Sequence, residues 1–142
     1  MVGRMLQRSG YDVVFACDGE AAVETYKSKH EEIALVLMDG QMPKLSGHEA
    51  TQQIRQWDLS RDAAATSSPI PIVGLSAGAM KGDLERGLSF GMTDYLTKPV
   101  DFSNLVATLE KYVGHACDNA DARIWSCTST VASYVQVFNF VF

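Results

Sequence analysis

A continuous apolar run, IALVLM at residues 33–38, constrains the fold of this chain more than any other segment. A strand with one buried face alternates apolar and polar residues, whereas a run without alternation is typical of a strand buried on both faces of a parallel sheet. A second run of this kind, IPIVGL, covers residues 70–75. Two such strands predict a parallel sheet with helices packed on both faces.

Helical and strand patterns alternate along most of the chain. Apolar residues at helical spacing predict five helices, marked by residues 2–6, 22–26, 50–57, 84–88 and 102–113. Clusters of β-branched and aromatic residues predict strands at 11–17 and 93–96. We expect Leu84 and Leu88 to face inward, Gly91 to end their helix, and residues 58–69 to form a polar loop. The order implies an α/β fold with a doubly wound parallel sheet.

Composition excludes several classes of function. The 142 residues suffice for one domain of ordinary size, and a net charge of −5 argues against binding of nucleic acid. No apolar run reaches the length of about 18 residues that a membrane span needs, and the first residues lack the apolar core of a secretory signal. The three cysteines show no metal-ligand spacing. We therefore expect free thiols and an intracellular protein, either cytoplasmic or nuclear.

Polar residues follow three of the predicted strands. Asp39 follows the strand at 33–38, Ser76 follows the strand at 70–75, and Lys98 follows the strand at 93–96. Since parallel strands end at one edge of a sheet, a carboxylate, a hydroxyl and an ammonium should converge there. Singly, each has an ordinary interpretation as a turn former, a loop residue or a solvated charge. Together they suit phosphoryl capture, with the carboxylate as nucleophile and the other two groups holding phosphoryl oxygens.

Three segments resemble the motifs of one protein family. VLMDGQMPKLSG at 36–47 is similar to the phosphoacceptor loop of response-regulator receiver domains, PIVGLSAGAM at 71–80 to their switch strand, and FGMTDYLTKPV at 90–100 to their lysine–proline segment. The order and spacing match, and the similarity covers about residues 1–113. The chain looks most like the receivers attached to hybrid histidine kinases. This resemblance implies a flavodoxin-like fold and a role in phosphorelay signalling, without an enzymatic activity of the domain itself.

The resemblance also implies roles for side chains. Asp39 would accept a phosphoryl group from a histidine kinase or a histidine phosphotransfer protein. Ser76 would bind that group and move with it, Lys98 would pair with it, and Tyr95 would swing inward when Ser76 moves. The domain would then bind different partners in its two states.

Further implications concern the backbone and a metal. The amides of Gly40 and Ala77 would face the phosphoryl oxygens, and the peptide bond before Pro99 is often cis in this family. Mg²⁺ is the expected cofactor, with Asp39 and the backbone carbonyl of Gln41 among its ligands. Magnesium prefers several oxygen ligands in octahedral geometry.

The chain departs from the family at both ends. Receivers begin with a strand that becomes the centre of the sheet and ends in an acidic pair for magnesium, and both the strand and the pair are absent here. We therefore expect a receiver fold lacking its first, central strand, an incomplete metal site and slow phosphoryl transfer. We expect the domain to cover residues 1–115, incomplete at its N-terminus, with a tail of unknown role at 116–142, and we expect the chain to be a fragment.

The end of the tail, VASYVQVFNFVF at 131–142, offers a substitute for the absent strand. Its apolar and aromatic residues suit a buried strand. A crossover from the strand at 93–96 through the last helix into the central position would be right-handed, as parallel crossovers nearly always are. We therefore consider the hypothesis that residues 131–142 pair between the strands at 11–17 and 33–38.

Two other functions compete with a phosphorylated receiver. Phosphatases with an aspartate nucleophile commonly place an acid two residues later, where this chain has Gln41, so we rank an enzyme low. A degenerate receiver that binds partners without being phosphorylated agrees with the absent acidic pair. It agrees less well with the presence of Asp39, Ser76, Tyr95 and Lys98. His48, on the helix after the acceptor loop, is expected at the surface.

Overall fold

The computed structural model describes Arg4, Leu6 and Arg8, which have helical backbone, and residues 12–42, 44–61, 69–78, 81–114 and 134–138. Strands and helices alternate as expected. In chain order they are β1 (Asp12–Phe15), α1 (Gly19–Lys29), β2 (Ile33–Asp39), α2 (Gly47–Arg61), β3 (Ile72–Ser76), α3 (Lys81–Ser89), β4 (Asp94–Thr97), α4 (Phe102–Leu109), the π-helical turn Glu110–Gly114 and β5 (Tyr134–Phe138). Cys117, Cys127 and the remainder of the expected tail lie outside the described residues.

The five strands form one parallel sheet in the order β1-β5-β2-β3-β4. The last strand in the sequence therefore takes the central position that the absent first strand leaves open. Val135 lies opposite Val13 on one side and Leu35 on the other, and Gln136 lies opposite Val14 and Val36. The hypothesis about the tail is thus confirmed for residues 134–138.

Each face of the sheet carries an apolar core, as the unbroken apolar run of β2 predicts. Leu35 and Leu37 lie in one core and Val36 and Met38 in the other, and all four side chains are fully buried. Leu6 joins the first core, although its helix precedes β1 in the chain. Burial on both faces fixes the register of β2, because a shift by one residue would exchange its two sets of side chains.

Helix α2 is longer than the sequence predicts. The expected loop at 58–69 is wrong for residues 58–61, because α2 continues to Arg61. Tertiary contacts at Asp58 explain the extension: its carboxylate accepts a hydrogen bond from the buried Tyr26 hydroxyl at 3.1 Å and contacts Arg55 at 3.5 Å. These partners come from packing against α1, which a local pattern does not report.

Helix α3 presents a different side to the core than expected. Leu88 is 53% exposed, so its predicted inward position is wrong, and Leu84 is only half-buried. The buried residue of this helix is Gly87. Gly91 follows with a φ of +100° and ends the helical segment as predicted, since glycine adopts this conformation without strain. Among the described helices, none is long and apolar enough to cross a membrane.

The central position of β5 can be tested by removing one backbone donor. Proline at Gln136 eliminates an N–H group inside the sheet, between β1 and β2, and leaves an acceptor without its partner. We expect Gln136→Pro to lower the free energy of unfolding by more than about 2 kcal/mol. Gln136→Thr keeps the donor and should change it by less than about 1 kcal/mol. Urea denaturation followed by circular dichroism measures both, and equal stability of the two variants would contradict the pairing.

Candidate functional site

Asp39 is the last residue of β2 and lies at the carboxyl edge of the sheet, 4% exposed. One carboxylate oxygen, Oδ1, accepts a hydrogen bond from the backbone N–H of Gln41 at 3.0 Å. The other, Oδ2, contacts the ammonium of Lys98 directly. The carboxylate is therefore buried, charge-compensated and oriented by the backbone, while the Lys98 side chain remains 36% exposed.

Backbone contacts between β4 and β3 bring Lys98 to this place. The strand β4 ends at Thr97, and the backbone N–H of Lys98 donates to the carbonyl of Ser76 at 2.7 Å. The peptide bond between Lys98 and Pro99 is cis, as expected. Lys98 thus continues the line of β4 by one residue before the chain turns toward α4.

Ser76 ends β3 beside these two residues, but its hydroxyl has a local partner. Its Oγ donates to the carbonyl of Gly78 at 2.8 Å, and the N–H of Gly78 donates back to Oγ at 3.4 Å. The hydroxyl is therefore held by its own loop. This bond must open before Ser76 can bind a ligand at Asp39.

A cleft of about 310 Å³ joins the predicted residues. Among the residues that line it are Asp39, Gly40, Gln41, Ser76, Ala77, Tyr95 and Lys98. The structure therefore brings together every predicted site residue except Pro99, and their individual roles remain predictions. His48, Asp83 and Arg86 line the same cleft, although the sequence pattern did not predict them as site residues.

The backbone donors differ in part from those expected. The N–H of Gly40 donates to the carbonyl of Leu75 at 3.3 Å and is occupied within the sheet edge. The N–H of Gln41 is the backbone donor that contacts the Asp39 carboxylate. Gln41 was predicted for its carbonyl alone, because the turn geometry that directs its amide toward Asp39 is not encoded in a local pattern.

His48 is not a surface residue, so that expectation is wrong. It lies near the start of α2, is half-buried, and its Nε2 is hydrogen-bonded to the hydroxyl of Tyr95 at 3.2 Å. Burial, and to a lesser degree the negative charge of Asp83, raises the pKa of Tyr95. The sequence offered one signal for His48, namely its position directly after the acceptor loop. That loop leaves the sheet at the edge where β4 also ends.

The side chains present do not fit a magnesium site. Asp39 is already paired with Lys98, and the other acid that lines the cleft, Asp83, lies on α3. Within the described parts of the chain, no three His, Cys, Asp or Glu side chains come together as a group that could hold a metal ion. A hard cation that favours several carboxylate oxygens therefore lacks its ligands here, in keeping with the absent acidic pair.

A second ion pair fixes the acceptor loop. Lys44, which has a φ of +65°, places its Nζ 3.0 Å from Oδ2 of Asp18 and 3.8 Å from Glu20. Asp18 is the N-cap of α1, and its Oδ1 accepts from the N–H of Ala21 at 2.8 Å. The loop after β2 is thereby joined to the loop after β1. The backbone bond from Ala21, followed by Lys44, lowers the pKa of Asp18.

Comparisons with known proteins agree with this geometry. Residues 1–110 match the model of a family described as the response regulator receiver domain. The sensor protein GacS of Pseudomonas syringae pv. syringae is 40% identical over 119 residues, which make up 84% of this chain and 12% of that protein. The response regulator DivK of Brucella ovis is 31% identical over 112 residues, 79% of this chain and 84% of that protein. The chain thus spans about an eighth of the sensor protein and most of DivK.

Solved structures show the same fold. The receiver domain of the sensor histidine kinase PA1611 from Pseudomonas aeruginosa PAO1, with a magnesium ion in its active-site cleft, is 34% identical with a TM-score of 0.67; the match covers 80% of this chain and 85% of that one. A co-crystal structure of the Saccharomyces cerevisiae phosphotransfer protein Ypd1 with the receiver domain of Ssk1 matches with 30% identity and a TM-score of 0.74, covering 88% of this chain and 86% of that one.

The contribution of Asp18 to stability should depend on pH in a defined direction. A carboxyl whose pKa is lower in the folded state stabilises the fold above its unfolded value of 3.8, and this contribution disappears as pH falls through the lowered pKa. Asp18→Asn keeps a capping side chain but removes the charge. We expect the variant to be less stable than wild type at pH 7 and to approach it at pH 3, in urea denaturation at both pH values. A difference in stability that is the same at pH 7 and pH 3 would contradict the lowered pKa of Asp18.

Proposed function

Because this chain belongs to the response regulator receiver domain family, we propose that Asp39 accepts a phosphoryl group from a phosphohistidine and that phosphorylation changes which partners the domain binds. One observation carries the proposal: the buried Asp39 carboxylate contacts the ammonium of Lys98, whose side chain is partly exposed, inside an open cleft. An oriented nucleophile and a cation for the incoming charge are the two groups that phosphoryl capture needs.

The transfer step is a substitution at phosphorus. A carboxylate oxygen of Asp39 forms the new O–P bond while the P–N bond to the donor's imidazole breaks, and the leaving nitrogen takes up a proton from solvent. The product is an acyl phosphate. Lys98 moves from the carboxylate to a phosphoryl oxygen, so its positive charge stays beside the negative charge as that charge shifts outward.

The proposed donor is a histidine kinase or a histidine phosphotransfer protein. The support comes from relatives: GacS is a sensor protein, and the Ssk1 receiver domain is seen bound to the phosphotransfer protein Ypd1. We propose that this domain meets a donor of that kind inside the cell, binds neither nucleic acid nor membrane, and has no kinase activity of its own.

A second candidate function is an interaction-only receiver. One observation favours it: among the described residues, no group of three or more His, Cys, Asp or Glu side chains could hold a metal ion that would neutralise the charge of a phosphoryl group. In that case Lys98 and Asp39 form a permanent ion pair, and partners recognise the resting surface. The two candidates differ in whether an acyl phosphate forms at all.

Chemical labelling separates the two candidates. Acetyl phosphate, with and without Mg²⁺, should label the chain slowly and with little dependence on the metal, because the metal ligands are missing. Asp39→Asn should abolish labelling, since an amide is not a competent nucleophile, whereas Asp83→Asn, an acid in the same cleft, should retain it. Intact-protein mass spectrometry gives the readout. Labelling that survives Asp39→Asn would refute the phosphoacceptor role, and an unlabelled wild type that still binds a phosphotransfer protein would favour the interaction-only receiver.

The role of Ser76 is tested by separating phosphorylation from its consequence. Ser76→Ala removes the hydroxyl but not the nucleophile, so Asp39 should still be labelled while the change in partner affinity on labelling becomes smaller. Ser89→Ala, an exposed serine at the end of α3, should leave both unchanged. Partner affinities of labelled and unlabelled protein provide the measurement. A change in affinity as large as in wild type would exclude Ser76 from the switch.

A further inference from the structure

The ring of Tyr95 lies inward, between β3 and α3. It packs across Gly74 on β3, where an added Cβ would come within 2.5 Å of the ring carbon Cε1. Its hydroxyl end lies against Gly87 on α3, where an added Cβ would meet Oη at 1.4 Å and Cζ at 2.3 Å. No side chain larger than hydrogen fits at Gly87 while the ring stays in this position.

His48 holds the hydroxyl from the opposite side. Its Nε2 is hydrogen-bonded to Oη of Tyr95 at 3.2 Å, and its ring packs against Phe90 with centroids 5.5 Å apart. The imidazole is therefore itself held in place. Tyr95 is partly buried, and His48 supplies a hydrogen-bond partner for its hydroxyl.

This inward position does not depend on Ser76 facing Asp39. The Ser76 hydroxyl is bonded to the carbonyl of Gly78 within its own loop. The tyrosine is thus inward while the serine has not turned to the acceptor. Other contacts hold the ring there: it packs against the core cluster that contains Met92, it lies across Gly74 and Gly87, and His48 bonds its hydroxyl.

We propose that Gly74, Gly87 and His48 form a tyrosine seat that holds Tyr95 inward before phosphorylation, with Gly87 and His48 as positioning residues for the ring. The ratio of inward to outward tyrosine, and with it the shape of the surface around β4, is then set by these residues and not by Ser76 alone. The seat is a property of the unphosphorylated protein, and only its consequence for partner binding rests on the proposed function.

Glycine inside a helix is unfavourable relative to alanine. A glycine at position 87 is therefore explained by the contact with the Tyr95 ring, which leaves no room for a Cβ. Helix α3 contains a second glycine, Gly82, where an added Cβ would meet nothing within 4 Å. The two sites thus share one helix and one residue type but differ in contact with Tyr95. The Tyr95 hydroxyl is the far end of a side chain that can rotate, so a methyl group at position 87 should displace the ring without preventing folding.

The pair Gly87→Ala and Gly82→Ala tests the seat directly. The chain contains five tyrosines, and ¹⁹F NMR of protein carrying 3-fluorotyrosine reports each one, with Tyr95→Phe identifying the resonance of Tyr95. We expect Gly87→Ala to move this resonance to the position of a solvent-exposed ring, and Gly82→Ala to leave it unchanged while raising the urea midpoint. An unchanged Tyr95 resonance in Gly87→Ala would overturn the proposal.

Variants of His48 test the hydrogen bond and serve if Gly87→Ala fails to fold. His48→Leu removes the partner of the hydroxyl and should shift the inward-to-outward ratio of Tyr95 toward the outward form by about fivefold, equivalent to about 1 kcal/mol. His48→Gln places an amide nitrogen near the position of Nε2 and should restore most of the ratio. Leu and Gln fill similar volumes, so a difference between the two variants reports the hydrogen bond. Identical inward-to-outward ratios of Tyr95 in His48→Leu, His48→Gln and wild type would overturn the role of His48.

A double-mutant comparison of stability provides an internal control. The hydroxyl of Tyr112 donates to Asp94 at 2.8 Å, whereas that of Tyr95 is bonded to His48, so Tyr112→Phe and His48→Leu should act additively on stability and Tyr95→Phe and His48→Leu should not. All these measurements are made without a phosphodonor. A failure of Asp39 to be labelled would therefore refute the proposed function and leave the seat to be judged on its own resonances.

Discussion

The site depends on a parallel sheet whose interior strands are all paired. An unpaired strand inside the sheet would leave a row of buried N–H and C=O groups without partners, at a free-energy cost comparable to several lost hydrogen bonds. Strand β5 satisfies this requirement for β1 and β2 at once, although it comes last in the sequence. The carboxyl ends of β2, β3 and β4 consequently meet at one edge, and the site lies there.

At that edge the balance of charge differs from what a metal-dependent acceptor needs. Asp39 is nearly fully buried and is compensated by one cation, Lys98, with a single backbone donor from Gln41. An acyl phosphate carries more negative charge than the carboxylate it replaces. Lys98 is the only one of the predicted site residues that brings positive charge, and it would serve the carboxylate and the phosphoryl group in turn; Arg86 is a second cation that lines the cleft. This explains why the geometry supports phosphoryl capture and also leaves an interaction-only receiver as a competing function.

Tyr95 links this edge to the surface of β4, and its environment is built from small residues. Protein interiors are densely packed, so a ring can lie inward only where the neighbouring side chains leave enough space for it. Gly74 and Gly87 leave that volume, and His48 bonds the hydroxyl that burial would otherwise leave unsatisfied. The state of the tyrosine is therefore decided by packing on β3, α2 and α3 together, and not by the acceptor loop alone.

The sequence by itself determined the local elements and the residues at their ends. The apolar runs of β2 and β3 are buried on both faces, and the predicted polar residues stand at the strand ends: Asp39 and Ser76 are the last residues of β2 and β3, and Lys98 follows β4. A parallel strand and its terminal residue are encoded within a few neighbouring positions. The family followed from three short motifs for the same reason. Even the central position of β5 could be put forward as a hypothesis, since its apolar composition and the right-handed crossover are readable from the chain.

Only the tertiary structure decided which partner each polar group takes. The extension of α2 to Arg61 depends on Tyr26 of another helix, and the burial of Gly87 in place of Leu88 depends on the ring of Tyr95. The half-buried position of His48 likewise depends on a strand 47 residues away. Contacts across such separations are set by how helices and strands pack, and a periodic pattern records which face of an element is apolar but not which neighbour covers it.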